Sequence, residues 1–353
     1  MKVVFRVDSS SQIGSGHLMR CLTLAQRLVK EKNADVLFVM RDLDGNLINL
    51  IEDKKYRVVV LTKSKKDENL KGYAEWLTVT QEHDAQETID VVSQEIVDLL
   101  IVDSYAIDIT WERIIRPYVK KIMVIDDLAN RKHDCDILLD QNFYENKDIR
   151  YDGLVPVNCK LFLGPQYAIL REEFYEVRKR LKKRDGDIRN ILVFFGGVDL
   201  TNETKKTLEA IIKLGREDIN INVIVGQGNP HKEEIKRICD GFSYMQYFCQ
   251  VNNIAEFMNE ADLSIGAGGT TIWERCFLGL PSIVIAVAEN QIVGCKDLDE
   301  YGAIFYIGTY YDTDVTDIGN VLRNKTIFSM ENIISKCNSL FLDGDFYDIN
   351  RCL

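Results

Sequence analysis

The sequence predicts an α/β protein with two doubly wound, Rossmann-like domains that face a central cleft. Three observations support this prediction. Short apolar runs alternate with longer amphipathic ones, a highly charged stretch interrupts this alternation once, and the alternation then starts again. Strands about 25–35 residues apart, with helical segments between them, are typical of parallel sheets that are covered by helices.

The first half of the chain contains six strand candidates. Each is a short run of β-branched and aliphatic residues, and together they span residues 3–7, 36–40, 58–61, 99–102, 122–125 and 137–139. Residues 171–190 are then almost entirely polar and rich in Arg and Lys, so we interpret them as a solvated helix and linker. The expected domains are an N-terminal one over residues 1–175 and a C-terminal, nucleotide-binding one over residues 188–353.

The second half repeats the pattern with glycine-rich loops after its strands. Its four strand candidates span residues 191–195, 222–225, 263–265 and 282–286. The first leads into Gly196-Gly197, and the third leads into residues 266–271. Ligands of doubly wound sheets bind at the carboxyl ends of the strands, so a cleft lined by such loops is the expected site. Residues 312–353 have weak helical periodicity and form a C-terminal extension, which the pattern does not place.

Composition narrows the class of protein. The net charge of −11 disfavours a nucleic-acid partner. No apolar stretch approaches the roughly 18 residues of a membrane span, and no secretory signal opens the chain, so we expect no stable membrane association. The nine cysteines form no C-x-x-C pair, which is typical of reduced thiols in a cytoplasmic protein. The four histidines have no metal-ligand spacing, so neither a metal nor a cofactor is predicted.

The first strand candidate leads into a loop that ends in a histidine. The loop runs from Asp8 to Gly14-Ser15-Gly16-His17, and apolar residues at helical spacing follow it. Glycines let the backbone approach a bulky ligand, and the N–H groups at a helix start bind anions. A titratable imidazole beside such a site is typical of a catalytic base. A Gly-x-Gly alone is often a simple turn, and this one lacks the third glycine of a dinucleotide fingerprint and the lysine of a Walker loop.

A second constellation predicts a nucleotide site in the second half. It consists of Gly268-Gly269-Thr270-Thr271 and, one helical turn later, Glu274. Glycines and threonine hydroxyls at a helix start suit a diphosphate, and a carboxylate one turn further suits a ribose diol. A plain surface position is the alternative interpretation of Glu274. Packing is the favoured role of Trp76 and Trp273.

Several further motifs occur in a fixed order over about residues 1–310. They are Arg6-x-Asp8-Ser9-Ser10-x-x-Ile13-Gly14-x-Gly16-His17-x-x-Arg20, Ile101-Val102-Asp103-Ser104-Tyr105, Asp126-Asp127 with His133-Asp134-Cys135-Asp136, Tyr167-Ala168-Ile169-Leu170-Arg171-Glu172, Phe195-Gly196-Gly197-Val198-Asp199, and Asn290-Gln291. With these motifs the chain resembles the nucleotide-sugar hydrolases of pseudaminic acid biosynthesis, which release UDP from a diacetamido-trideoxy-altrose. Its second half also resembles the UDP-GlcNAc transferase of peptidoglycan synthesis, which has the GT-B fold.

The resemblance implies the GT-B fold and specific roles for several residues. His17 would be the general base, Tyr105 would lie beside it, and Asn290 and Gln291 would line the sugar–diphosphate site. The implied reaction is hydrolysis of the anomeric C–O bond of a UDP-linked 2,4-diacetamido-2,4,6-trideoxy sugar. UDP leaves readily as an anion, and a neutral imidazole takes the proton of the attacking water, so one metal-independent displacement with inversion is expected.

Two points stay open at this stage. Asp8 is a candidate to orient His17, with a structural turn or cap position as an equal alternative, and Asp103 has the same two interpretations. The second point is the reaction, because a GT-B glycosyltransferase that uses a UDP-amino sugar would have the same fold and base. A sensor without catalysis is disfavoured by a histidine in the anion loop. His133 is left open between a structural and a functional role.

Overall fold

The computed structural model describes residues 1–64, 67–324 and 330–342. The chain forms two compact units. Among the described residues, the first contains Met1–Asn142 and Asn146–Ile169, and the second contains Phe143–Glu145 and the residues from Leu170 to Leu342. No helix among the described residues is long and apolar enough to cross a membrane.

The first unit is built on a parallel sheet of seven strands. In chain order the strands are β1 (Lys2–Val7), β2 (Asp35–Arg41), β3 (Arg57–Leu61), β4 (Leu99–Asp103), β5 (Ile122–Ile125), β6 (Ile137–Asp140) and β7 (Lys160–Leu163). Their order across the sheet is β3-β2-β1-β4-β5-β6-β7. The α-helices are α1 (Gly16–Lys32), α2 (Ile48–Asp53), α3 (Gln81–Val92) and α4 (Ile109–Ile115).

Alternation along the central strands creates a core on each face of this sheet. Val3, Phe5 and Val7 of β1 pack in one buried cluster with the apolar side of α1. Val4 lies in a second cluster, with residues of α3 and α4. Successive side chains of a strand point to opposite faces, so a strand that is apolar on both faces is covered by helices twice.

The second unit contains a parallel sheet of six strands. They are β8 (Asn190–Phe194), β9 (Asn220–Val225), β10 (Met245–Cys249), β11 (Leu263–Ala267), β12 (Ser282–Ala286) and β13 (Phe305–Thr309), in the order β10-β9-β8-β11-β12-β13. The helices are α5 (Glu172–Arg178), α6 (Glu203–Leu214), α7 (Lys232–Asp240), α8 (Ile254–Glu260), α9 (Thr271–Phe277), α10 (Glu289–Tyr301), α11 (Val315–Arg323) and α12 (Met330–Ser339).

The ten predicted strands are all present, and β7, β10 and β13 were not predicted. The C-terminal extension contributes α11 and α12, and α12 packs on α9. Residues 325–329 and 343–353 of this extension lie outside the described part of the chain.

The expectation of a solvated helix and linker over residues 171–190 is correct for the presence of a helix, α5, but wrong in that one face of this helix is buried. Helix α5 packs on α8 and α9 and buries Phe174 and Val177 completely or nearly so. Arg184 donates hydrogen bonds to the backbone carbonyls of Met258 and Ala261 at the end of α8. The basic side chains of this segment therefore satisfy helix-end carbonyls instead of facing water only.

Candidate active site

The loops after β1 and β4 meet at the point where the strand order of the first sheet reverses. β1 is flanked by β2 on one side and by β4 on the other, and Val7 pairs in register with Asp103. Such a switch point is the usual ligand site of an open α/β sheet. The loop between β1 and α1 carries Gly14, Ser15 and Gly16 to this edge.

Backbone geometry of this loop is suited to a close ligand. Gly14 has φ +79°, and open space surrounds the positions that a Cβ atom would take at Gly14 and Gly16. Ser15 is the N-cap residue of α1, and its carbonyl accepts from the amide of Met19 at 2.9 Å. His17 follows as the second residue of the helix and is buried.

Asp103 is the partner of the His17 ring. Its Oδ1 lies 2.6 Å from Nδ1 of His17, and it also accepts from Nη2 of Arg20 at 2.6 Å, while Oδ2 accepts from Nε of Arg20 at 2.6 Å. Burial alone would raise the pKa of Asp103, but the charge of Arg20 and the contacts with His17 hold that pKa well below its usual range. Nη2 of Arg20 also lies 3.1 Å from Nδ1, but the contact with Asp103 is the shorter one. Because an ionised carboxylate only accepts, we assign the hydrogen of the neutral imidazole to Nδ1, which leaves Nε2 as the basic nitrogen.

Tyr105 is held beside the imidazole by a second carboxylate. The ring centroids of His17 and Tyr105 are 4.7 Å apart in an edge-on arrangement, and the Tyr105 hydroxyl donates to Asp127 at 2.5 Å. Asp127 also forms an ion pair with Arg20 at 3.3 Å. Burial, followed by the charge of Asp127, raises the pKa of Tyr105 well above its ordinary value, so its hydroxyl stays protonated.

Asp8 does not contact His17. Its Oδ1 accepts from the backbone N–H of Arg41 at 2.7 Å and lies 2.7 Å from Nη1 of Arg6. Arg6 in turn reaches Asp84, which also binds Arg41. Asp8 therefore belongs to a buried ion network below the strand ends, and Asp103 takes the orienting position for which Asp8 was also a candidate.

His133 belongs to a buried network behind the site. Its Nδ1 lies 2.7 Å from Glu112, and its Nε2 lies 3.9 Å from Asp126. Tyr151 donates to Asp126 at 3.2 Å and to Asp140 at 3.0 Å. Burial, then the charge of nearby Asp127, raises the pKa of Asp140 to about 8.

In the second unit, the glycine loops lie at the corresponding switch point. The strand order reverses between β8 and β11, and these two strands lead into Gly196-Gly197 and Gly268-Gly269. Gly196 has φ +92° with open space beside it. A Cβ atom at Gly268 would lie 2.3 Å from Sγ of Cys295, so no larger residue fits there without movement.

Gln291 lies against the loop at Gly268-Gly269, whereas Thr270 and Asn290 are exposed at helix starts. Oε1 of Gln291 lies 3.4 Å from the Cβ position of Gly268, and it accepts from the amide of Val287 at 3.0 Å. Thr270 and Asn290 lie at the starts of α9 and α10, and Thr271 is the first residue of α9.

Glu274 has one satisfied and one unsatisfied oxygen. Its Oε1 accepts from Nη2 of Arg171 at 2.9 Å, and Arg171 also pairs with Glu173 at 2.8 Å. Its Oε2 is buried and has no hydrogen-bond partner among the described residues. A buried carboxylate oxygen without a donor is costly unless a ligand supplies one.

Arg275 lies buried next to the same loop. Its Nη2 donates to the carbonyl of Ala267 at 2.6 Å, while its Nε and Nη1 have no partner among the described residues. Burial lowers the pKa of Arg275 from its ordinary value. Over the described residues, no group of three or more His, Cys, Asp or Glu is placed to hold a metal ion.

Some contact residues of the two candidate sites were not assigned to them by the sequence analysis. They are Arg20, Asp127 and Trp76 in the first unit, and Arg171 in the second. Arg20 lies one helical turn after His17, and Asp127 follows β5, the neighbour of β4. These two positions were detectable because side chains at i and i+3 share a helix face, and parallel strand ends share an edge. Trp76 gave no comparable signal.

Comparisons with known proteins identify the family of the chain. The family model of the glycosyltransferase family 28 C-terminal domain matches residues 190–325 of this chain. The UDP-2,4-diacetamido-2,4,6-trideoxy-beta-L-altropyranose hydrolase of Campylobacter jejuni is 31% identical over 292 residues, which are 82% of this chain and 93% of that protein. The chain belongs to this hydrolase family.

Two further proteins are similar to this chain, one in sequence and one in fold. The pseudaminic acid cytidylyltransferase and UDP-2,4-diacetamido-2,4,6-trideoxy-beta-L-altropyranose hydrolase of Helicobacter pylori is 25% identical over 215 residues, which are 58% of this chain and 37% of that protein. The crystal structure of MurG from Acinetobacter baumannii aligns with 99% of this chain and 98% of its own, with a TM-score of 0.64 at 13% identity. This structural similarity shows that the chain has the predicted GT-B fold.

Proposed function

We propose that the protein hydrolyses the anomeric C–O bond of a UDP-linked 2,4-diacetamido-2,4,6-trideoxy sugar in pseudaminic acid biosynthesis and releases UDP and the free sugar. The observation that carries the proposal is the pairing of His17 Nδ1 with Asp103 at 2.6 Å. The names of the Campylobacter jejuni and Helicobacter pylori relatives state this activity for those proteins.

His17 is the general base of the proposed reaction. With its Nδ1 hydrogen donated to Asp103, Nε2 takes a proton from the water that attacks the anomeric carbon. Asp103 fixes the tautomer and the ring orientation and stabilises the imidazolium that forms. Because Arg20 shares the same carboxylate, the pair does not rotate as a free unit.

Tyr105 is a neutral hydroxyl next to the base. Its proton is donated to Asp127, so its oxygen offers lone pairs to the attacking water or to a sugar hydroxyl. We assign it a positioning role for the water. This role agrees with its raised pKa, because a phenolate would compete with His17 for the proton.

The glycine loops of the second unit bind the UDP in this proposal. Backbone N–H groups at Gly196-Gly197 and Gly268-Gly269, with the hydroxyls of Thr270 and Thr271, take the diphosphate, and the buried charge of Arg275 favours the dianion. Oε2 of Glu274 accepts from the ribose diol, which supplies the donor that this oxygen lacks. Gln291 and Asn290 line the sugar–diphosphate end.

The negative charge that develops on the leaving UDP needs little stabilisation beyond the loop donors. UDP departs as a stable anion, and the loop donors that bind its ground state also stabilise its transition state. The pair of carboxylates that ordinary glycosidases use is therefore unnecessary. No metal ion takes part in the proposed step.

Transfer of the sugar to an acceptor is the second candidate function. The match to the glycosyltransferase family 28 C-terminal domain over residues 190–325 favours it, because nucleotide-sugar transferases share this half of the chain. His17 would then deprotonate an acceptor hydroxyl in place of water.

The deciding experiment is incubation of the protein with the UDP-linked sugar alone. Release of UDP and free sugar without an acceptor is expected, and release only after an acceptor is added would support the transferase. His17→Ala is expected to abolish turnover and to keep the affinity for UDP. The matched control is His83→Ala, because His83 is an exposed histidine on α3. Near-normal kcat in His17→Ala would contradict the assignment of the base.

A further inference from the structure

Three aromatic rings surround one side of the His17 imidazole. Tyr73 and Trp76 lie on the 3₁₀ turn Gly72–Leu77 between β3 and α3, and Tyr105 follows β4. We call Tyr73, Trp76 and Tyr105 the aromatic cluster. Packing was the expected role of Trp76, and the structure places its ring next to His17.

The rings of the aromatic cluster contact one another closely. Trp76 stacks on Tyr105 with centroids 5.4 Å apart and an interplanar angle of 28°. Tyr73 meets both rings edge-on, at 4.9 Å from Trp76 and 5.0 Å from Tyr105. The His17 centroid is 6.0 Å from Trp76, so the cluster and the base form one continuous surface.

The three side chains of the aromatic cluster differ in solvent exposure, which increases from Tyr105 through Trp76 to Tyr73. Tyr105 is 7% exposed, Trp76 is half-buried and Tyr73 is 37% exposed. A purely structural aromatic cluster would bury its outer rings, because each ring carries a large apolar area. Two outer rings that keep part of their surface in solvent beside a catalytic base indicate a surface for a ligand.

The geometry of hydrolysis brings the sugar to this surface. The attacking water must lie within hydrogen-bond reach of Nε2 of His17 and about 3–3.5 Å from the anomeric carbon. The sugar ring therefore lies within roughly 6–7 Å of the base, and the Trp76 ring lies at a similar distance, 6.0 Å, from the imidazole. Aromatic faces pack favourably on C–H groups and methyls and form only weak interactions with a hydroxyl.

We propose that Trp76 and Tyr73 recognise the methyl-bearing side of the sugar and set the preference for a 6-deoxy, N-acetylated substrate. This inference rests on the proposed function and names the specificity-determining residues of the same site. A 2,4-diacetamido-2,4,6-trideoxy sugar carries three methyl groups: C6 and the ends of both acetamido groups. A hexose with a C6 hydroxyl would lose its hydration against these rings without a partner in return.

The charged groups of the site do not compete for this role. Arg20, Asp103 and Asp127 are engaged with one another and with His17 or Tyr105. They are carried by α1 and by the ends of β4 and β5, while the 3₁₀ turn carries Tyr73 and Trp76. Catalytic charge and sugar recognition therefore come from different elements of the first unit.

The test compares Tyr73→Ala and Trp76→Ala with the unchanged protein. The substrate is UDP-2,4-diacetamido-2,4,6-trideoxy-β-L-altropyranose, and UDP-N-acetylglucosamine and UDP serve as competing ligands. Each variant is expected to raise KM for the trideoxy substrate about ten-fold or more, with kcat changed far less. The inhibition constant of UDP is expected to change less than two-fold. That of UDP-N-acetylglucosamine, which carries only one of the three methyl groups, is expected to change less than the KM of the trideoxy substrate.

Several controls make the outcome decisive. Tyr118→Ala removes a similarly exposed tyrosine elsewhere in the first unit and is expected to change nothing. Trp76→Phe keeps a ring and is expected to fall between Trp76→Ala and the parent, which guards against a variant that fails to fold. Equal losses for all three ligands, or a loss in kcat with KM unchanged, would overturn the inference.

The outcomes also separate this inference from the proposed function. If the unchanged protein does not release UDP from the trideoxy substrate, the proposed function fails. If it does so and Tyr73→Ala and Trp76→Ala keep its KM, the proposed function stands and only the specificity role is wrong.

Discussion

Asp103 holds His17 through Nδ1 at 2.6 Å, although 86 positions separate the two residues in the chain. β4 pairs with β1, and Asp103 is in register with Val7, the last residue of β1. Paired residues of parallel strands point to the same face, and Val7 packs with α1, the helix that carries His17. The carboxylate–imidazole pair therefore follows from one strand pairing and one strand-to-helix connection.

The first prediction concerns this pair. Asp103→Asn would supply an N–H toward Nδ1 or hold the wrong tautomer, so Nε2 would no longer be the basic nitrogen. We expect kcat to fall on the order of 10²–10⁴-fold while the inhibition constant of UDP stays unchanged. Steady-state kinetics with the UDP-linked sugar measure both values.

Asp8→Asn is the matched control for this prediction. Asp8 binds the backbone of Arg41 and the side chain of Arg6, so its loss is expected to lower thermal stability and to leave kcat within a few-fold. If Asp8→Asn lowered kcat as much as Asp103→Asn does, in a folded protein, the assignment of the orienting carboxylate would be wrong.

Asp8 and Asp103 have the same two interpretations from the sequence alone, and strand alternation distinguishes them once the strand pairing is known. Asp8 is the nearer carboxylate in the chain, but it shares the strand face of Val4 and Arg6, opposite to α1. Asp103 shares the face of Leu99 and Ile101, which pack with α1. To choose between the two carboxylates, one must know which strand lies next to β1 in the sheet. Apolar periodicity does not give this information.

Apolar periodicity also failed to predict three of the strands. Central strands such as β1 and β4 are buried on both faces, so uninterrupted apolar runs reveal them. The three strands that were not predicted are all at sheet edges: β7, β10 and β13. Edge strands are partly exposed and carry polar residues, so their apolar signal is weak. Trp76 was similarly hidden, because a short 3₁₀ turn has no periodicity that assigns a face.

The second prediction concerns the ribose contact. Oε2 of Glu274 is buried and lacks a donor, so Glu274→Gln is expected to weaken UDP binding about ten-fold or more, because a charged acceptor is lost. The kcat value is expected to stay within two-fold. The unchanged protein should bind UDP more tightly than 2′-deoxy-UDP, and the variant should lose this difference in an equilibrium binding assay.

Glu173→Gln is the control for Glu274→Gln, because Glu173 also pairs with Arg171. If both variants weakened UDP binding equally and kept the preference for the 2′-hydroxyl, the effect would come from Arg171 and not from a contact to ribose.

The third prediction uses the pH dependence of stability. The folded state raises the pKa of Asp140 to about 8, by burial first and by the charge of Asp127 second. The folded protein therefore keeps a proton that the unfolded chain releases near its ordinary pKa of about 3.9. The resulting stabilisation is full below that value and is lost as the pH rises through about 8, with a slope of up to about 1.4 kcal/mol per pH unit.

Asp140→Asn removes this titration. Between about pH 5 and pH 9, its free energy of unfolding is expected to fall less than that of the parent, as measured by urea denaturation at several pH values. Asp53→Asn, at the exposed end of α2, is expected to follow the parent. Parallel curves for the parent and Asp140→Asn would contradict the raised pKa.

The fourth prediction concerns metal ions. The proposed step uses a histidine base and loop donors only, so activity is expected to survive exhaustive treatment with EDTA and dialysis into metal-free buffer. A loss that an added divalent ion restores would show that the mechanism lacks a component.

The fifth prediction concerns the bond that breaks. If His17 activates a water for direct attack on the anomeric carbon, the C–O bond breaks and the P–O bond stays intact. Hydrolysis in ¹⁸O-labelled water is expected to place the label in the free sugar, with none in UDP, as read by mass spectrometry. Label in UDP would mean that water attacks phosphorus.

The stereochemistry of the sugar completes this test, because one displacement inverts the anomeric carbon and two displacements retain it. Retention requires a nucleophile that forms a covalent glycosyl intermediate, such as a carboxylate. Among the described residues of the His17 site, Asp103 and Asp127 are both engaged by Arg20, which argues against a nucleophilic role for either. Rapid NMR is therefore expected to show the inverted anomer first, before mutarotation mixes the two forms. A first-formed anomer of retained configuration would replace direct attack by water with a covalent route.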